Sequence, residues 1–169
     1  MPKPELSTIP AFYHNYVNRV EEENTIEALQ KSHTQTYSLL QAIPTEKWHY
    51  RYADGKWSIL EMVQHMIDAE RIFAYRALCI ARGDKGSLPG FDENAYAENS
   101  GADNRSATEL LEEWTVVRQS TILLFKSFNQ EQTARTGIAN SQPISVNAIG
   151  FIAAGHALHH LHILQERYL

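Results

Sequence analysis

Apolar positions recur along this chain at intervals of three and four, and alternation at every second position is scarce. That period belongs to helices that bury one face. The stripe Ile26, Leu29, His33 and Leu40 predicts a first long helix over about residues 21–42, closed by Pro44. A short helical piece over residues 10–17 precedes it. The second helix has a readable start, because Ser58-Ile59-Leu60-Glu61 has the form of a capping box. It is predicted to run to about residue 82, with Gly83 as the stop. Residues 83–105 are rich in Gly, Asp and Asn and read as a loop. A second capping box, Ser106-Ala107-Thr108-Glu109, opens the third helix, whose stripe is Leu110, Trp114, Val117, Thr121, Leu124 and Phe128. After a polar connection containing Gly137 and Pro143, Ser145 caps a last helix that runs nearly to the end.

Four long helices and no strand pattern predict an all-α four-helix bundle. The connections between helices two and three and between three and four are long enough to be crossovers. The chain has 169 residues, 43% hydrophobic and 21% charged, which fits one helical domain over residues 1–169. A net charge of -5 advertises neither nucleic acid nor an anionic membrane as partner. No apolar run is long enough to span a bilayer. Met1-Pro2-Lys3-Pro4-Glu5 also lacks the apolar core of a signal peptide, so a cytoplasmic protein is expected. Cys79 is the one cysteine, which excludes an intramolecular disulfide and a Cys-rich zinc site.

The densest chemistry lies in Gly155-His156-Ala157-Leu158-His159-His160-Leu161-His162, which holds four of the eight histidines. His156 and His160, four positions apart, share one helical face. Two neutral imidazoles so placed form half of a transition-metal site. At ~100° per residue, Ile149, Ile152 and Ile163 fall beside His156 on the stripe that faces the core. His159 falls at its edge and His162 points away. On helix two, His65 lies with Met62, Ala69, Ile72 and Arg76 on another inward stripe and is the candidate third ligand. His33 has the same orientation with less support, and His14 and His49 are expected to be solvated. Glu61 and Asp68 are candidates to orient the imidazoles, against their simpler roles as a cap and as a partner of Arg71 or Arg76. The pattern is neither the His-Glu-x-x-His of a zincin nor the paired Glu-x-x-His of di-iron bundles. A second apolar stripe on helix four (Phe151, Ala154, Leu158, Leu161) predicts a homodimer through that helix, unless a crossover loop covers it. Tyr96, Phe91 and Arg76 are candidates to line a substrate pocket.

The stretch from Gly55 through Trp57, Ser58, Glu61 and His65 to Arg71 resembles the helix-two signature of the DinB-like (DinB/YfiT) superfamily. Ala154-Gly155-His156-Ala157-Leu158-His159-His160 resembles its C-terminal histidine motif. Arg82-Gly83-Asp84 and Leu88-Pro89-Gly90-Phe91-Asp92-Glu93 are similar to the connecting loop of one subgroup. The resemblance implies a bundle of crossed-over topology, often dimeric. It also implies a three-histidine metal site that maps to His65, His156 and His160. Characterised relatives include enzymes that transfer or isomerise with low-molecular-weight thiols.

Three imidazoles leave a coordination position open for catalysis. The expected function is therefore a metal-dependent enzyme using Zn, Ni or Fe on a small-molecule substrate. A thiol-dependent S-transferase acting on small electrophiles comes first, with a metal-dependent hydrolase or a non-catalytic metal-binding stress protein as alternatives. A purely structural role for the histidines is the fourth.

Overall fold

The computed structural model describes residues 2–169. Among these residues seven α-helices occur: α1 (His14–Asn18), α2 (Thr25–Ala42), α3 (Ile59–Ala81), α4 (Glu93–Glu98), α5 (Ala107–Lys126), α6 (Gln130–Ala134) and α7 (Val146–Arg167). The four long ones, α2, α3, α5 and α7, build the bundle. Their starts are fixed locally. Ser58 Oγ accepts from the Glu61 amide at 3.2 Å, while Glu61 Oε2 accepts from the Ser58 amide at 2.6 Å. Ser106 and Glu109 repeat the arrangement on α5, and Ser145 Oγ caps α7 through the Ala148 amide. These closures satisfy amides that have no partner within the helix. The first long helix starts later than the apolar stripe predicts. Asn24 accepts from the amides of Ile26 and Glu27, so residues 21–24 lie outside the helix.

The path between helices differs in detail from the expectation. In the bundle, α2 packs on α7 and α5, and α3 packs on the same two helices. Hence α2 lies diagonally across from α3, and α5 across from α7. The crossings fall between the first and second long helices and between the third and fourth. The 83–105 connection, although long enough to cross, joins neighbours.

Strands were not expected, yet a small sheet of order β1-β2-β3 is present, with β1 (Ser87–Leu88), β2 (Thr136–Ala139) and β3 (Gln142–Ser145). β1 runs parallel to β2, with Ser87 opposite Ile138, and β2 is antiparallel to β3. Asn140 and Ser141, at φ 51° and 61°, make the two-residue turn between β2 and β3. Pro143 sits on the edge strand β3, where a missing N–H is tolerated. Pieces of two to four residues carry too little alternation to register as a period.

The core falls into two apolar clusters. One gathers Val17, Leu29, Phe73, Phe125 and Phe151; the other gathers Leu40, Trp48, Ile59, Met66, Trp114 and Leu164. Between the long helices Arg118 is fully buried. Its Nε lies 2.8 Å from Glu70 Oε1 and its guanidinium also donates to Glu70 Oε2, Ser32 Oγ and the carbonyls of Leu29 and Ala153. One side chain thus ties α2, α3, α5 and α7 together.

α7 is apolar nearly all round, as the sequence indicates. Its second stripe is filled from within the chain at Phe151 and Ala154, both fully buried, while Leu158 and Leu161 are half-buried. α1 and α2 both pack on α7 and cover the buried part of that stripe. Among the described residues no helix is long and apolar enough to cross a membrane.

Candidate metal centre

α3 and α7 pack side by side, and the inward stripes of the two helices meet where the apolar clusters join. His65 comes from α3, His156 and His160 from successive turns of α7. His156 Nε2 lies 3.1 Å from Nε2 of His65 and 3.1 Å from Nε2 of His160. One ligand nitrogen from each of the three lies within 4.8 Å of the others. All three side chains are buried.

Such a meeting of nitrogens is hard to satisfy by hydrogen bonds alone. A ring nitrogen offers either one proton or one lone pair. The single in-plane lone pair of His156 Nε2 cannot accept well from two donors at once. Among the described residues no carboxylate or carbonyl oxygen bonds these three Nε2 atoms. A divalent ion satisfies all three together. Zinc–imidazole bonds of 2.0–2.1 Å in a tetrahedral site place the nitrogens about 3.3 Å apart, close to the spacing found. The donors are also in the right charge state. Burial pushes His65 down to about 4, with the neighbouring His159 adding to the effect. Burial first, then the adjacent imidazoles, holds His156 and His160 well below the ordinary range. All three are neutral at pH 7 and present lone pairs.

The histidines form one wall of a cavity of about 250 Å³. Trp57 lies against His65 with ring centroids 4.8 Å apart. Phe73 and Tyr16 meet His156 edge-on at 5.6 and 5.4 Å. Arg76, Phe91, Glu93 and Asn140 are also part of the lining. Tyr16 reaches the site because Gly155 has no side chain. A Cβ there would stand 2.0 Å from the Tyr16 carbonyl oxygen, so glycine lets the α1 backbone lie directly on α7. Burial, followed by the charges of Glu93 and Tyr13, raises the Tyr16 hydroxyl pKa.

The other sequence candidates sort clearly. His159 is at the edge of the cavity, where the helical phase puts it, and His162 points away and pairs with Glu166 at 3.1 Å. His33 packs on Tyr37 and Trp114 and stays outside the cluster. His49 is exposed, but His14 is not simply solvated, since its Nε2 lies 2.9 Å from the Ile9 carbonyl. Neither Glu61 nor Asp68 orients an imidazole. Glu61 serves its cap and pairs with Arg51, and Asp68 accepts from Gln64 at 3.0 Å. The Nδ1 atoms of His65 and His160 make no hydrogen bond among the described residues, so aromatic packing sets these rings. Arg76 and Phe91 do line the cavity. Tyr96 instead packs on Phe91 at 5.1 Å and stays outside the lining.

A family model for the DinB superfamily matches residues 28–164. The chain belongs to the DinB superfamily. The matched span contains all three converging histidines and omits α1, which carries Tyr16. Among solved DinB-type bundles, YfiT from Bacillus subtilis superposes with a TM-score of 0.74 and 18% identity, covering 84% of this chain and 82% of that one. It is described as a probable metal-dependent hydrolase with an unusual four-helix bundle topology. A DinB-like protein of the same organism, YjoA, gives 0.60 and 19%, covering 83% and 86%. At these identities the likeness is one of fold. Among curated proteins none matches the chain.

Proposed function

We propose that this DinB-superfamily protein is a metal-dependent enzyme in which His65, His156 and His160 hold one divalent transition ion, Zn, Ni or Fe. The observation that carries the reading is the convergence of three neutral, buried Nε2 atoms on the wall of a cavity. Three protein ligands are the pattern of catalytic sites, whereas structural zinc sites are closed by four. When bound, such an ion supplies Lewis acidity that lowers the pKa of a small nucleophile.

The chain's own residues shape the rest. Trp57, Phe73 and Tyr16 shield the imidazoles from bulk water and fix the rings. Tyr16 keeps its proton at neutral pH and can donate it to oxygen on a bound electrophile. Glu93 is the one carboxylate lining the cavity among the described residues, and it and the His159 imidazole are available proton acceptors. Water comes first as nucleophile, hence hydrolysis of a small electrophile, a reading the likeness to YfiT supports. A thiol-dependent S-transfer is the second reading, favoured by the aromatic lining, which suits polarizable sulfur.

The test is turnover of 4-nitrophenyl acetate and of 1-chloro-2,4-dinitrobenzene by zinc-loaded and chelator-stripped protein, with and without a small thiol. Metal-dependent ester cleavage without thiol is the expected result. Conversion only with thiol selects the transferase. Failure to take up zinc, nickel or iron on titration returns the three histidines to the core as packing residues.

A further inference from the structure

We propose that Arg76 forms an anion subsite in the cavity beside the three histidines, built to receive the carboxylate of a small aromatic or similarly flat molecule. That this carboxylate belongs to the substrate rests on the metal-enzyme reading above; the subsite itself rests on Arg76. The residue is 5% exposed, yet it forms no salt bridge among the described residues. Arg51, Arg71, Arg105, Arg118 and Arg135 each lie against a carboxylate. Arg76 donates instead to the Pro89 carbonyl at 2.7 Å, which uses one of its five N–H groups. None of its other nitrogens is sealed away without a partner among the described residues, and the residue lines the cavity.

A guanidinium cannot shed its proton, and a buried charge without a counter-charge is strongly disfavoured. Arg118 shows how this fold satisfies a buried arginine when the role is structural, with a bidentate glutamate and further acceptors. At Arg76 the one acceptor is the Pro89 carbonyl, no carboxylate pairs with it, and the residue lines a cavity. Glu93 lines the same cavity from its exposed side without closing on the guanidinium. Position supports the same conclusion. Arg76 is eleven residues after His65 on α3, three turns along one stripe, or roughly 16 Å between Cα atoms. Helical side chains lean toward the helix start, which on α3 is the direction of His65. Phe73 lies between the two, and Phe91 and Tyr16 also border the cavity, so an aromatic carboxylate bound to Arg76 has its other end toward the imidazoles.

The test is calorimetric titration of the metal-free protein with benzoate and with the isosteric, uncharged benzamide. It is run on wild type, Arg76→Gln and Arg76→Lys, with circular dichroism to confirm folding. Benzoate is expected to bind wild type at least about ten-fold more tightly than benzamide, the scale of one charge-assisted hydrogen-bonded pair. Arg76→Gln should erase that preference and Arg76→Lys should keep part of it. Equal affinity for the two probes in wild type, no binding of benzoate, or a preference that survives in Arg76→Gln overturns the proposal. If Arg76→Gln does not fold, Arg76→Lys carries the variant test, and equal affinity or no benzoate binding in wild type still overturns the proposal. Zinc uptake, measured alongside, tests the other reading. Benzoate preference without metal binding leaves the anion subsite standing and removes the metal enzyme.

Discussion

His156, His160 and His162 lie within two turns of one helix, and their fates differ through helical phase alone. The first two meet His65 in the core, while His162 turns outward to Glu166. His160→Ala should therefore reduce metal uptake to background while circular dichroism stays helical, and His162→Ala should change neither. Loss of metal in His162→Ala with retention in His160→Ala contradicts the geometry. Gly155 poses a sharper question. In a helix interior, glycine is worse than alanine by roughly 0.5–1 kcal/mol. A Cβ at this position, however, meets the Tyr16 carbonyl oxygen at 2.0 Å, and neither backbone can yield cheaply. The clash outweighs the propensity. Gly155→Ala should lower stability by about 1–3 kcal/mol, the range for overpacking, and move Tyr16 off His156. Urea melts read the first effect; unchanged zinc stoichiometry with weakened ligand affinity reads the second. An increase in stability means α1 is not held on α7 as described.

At the scale of elements, the four long helices were legible because each carries both a stripe and a start signal. Ser58, Ser106 and Ser145 each placed a helix N-terminus correctly. The residues that join the helices were not legible. Arg118 and Glu70 are charged and look solvent-facing in a sequence, and only the bundle shows them bidentate and buried. Replacing Arg118 by Met leaves Glu70 uncompensated in the core, and such a break costs about 3–5 kcal/mol. The double change Glu70→Leu with Arg118→Met removes both charges and should recover most of that loss. Equilibrium unfolding in urea of Arg118→Met, Glu70→Leu and the double variant checks this, and additive losses in the double variant would show the pair is uncoupled. The metal candidates were legible for a related reason. His65, His156 and His160 occupy inward positions on regular helices, where phase fixes direction. Tyr16, Trp57, Glu93 and Asn140 reach the cavity from short or irregular segments, where no period fixes direction. Tyr16 in particular depends on a contact across 139 residues, with Gly155. The small sheet escaped notice because its strands hold no more than four residues each.

For the molecule as a whole, burying three imidazoles between α3 and α7 links stability to proton concentration. In the unfolded chain these groups titrate near the ordinary 6.5, whereas folding holds His65 at about 4 and the other two well below 6.5. Between those values the unfolded state binds more protons than the folded one. Stability must therefore rise with pH through that window and fall on acidification from about pH 6.5 toward pH 4. Occupancy by an ion acts in the opposite sense, since a ligand of the folded state alone stabilises it by mass action, by about 2.7 kcal/mol at a hundred times Kd. Below about pH 5 protons begin to compete with the ion for the same nitrogens. Thermal melts of chelator-treated protein should show a falling Tm as the pH is lowered through the window. Zinc should raise Tm most near neutrality and progressively less in acid. His65→Asn removes one of the three titrating groups, so its Tm should depend less steeply on pH and respond little to zinc. A wild-type Tm that stays level across the window places these imidazoles in contact with water, and the seam between the two apolar clusters is then open where the structure closes it.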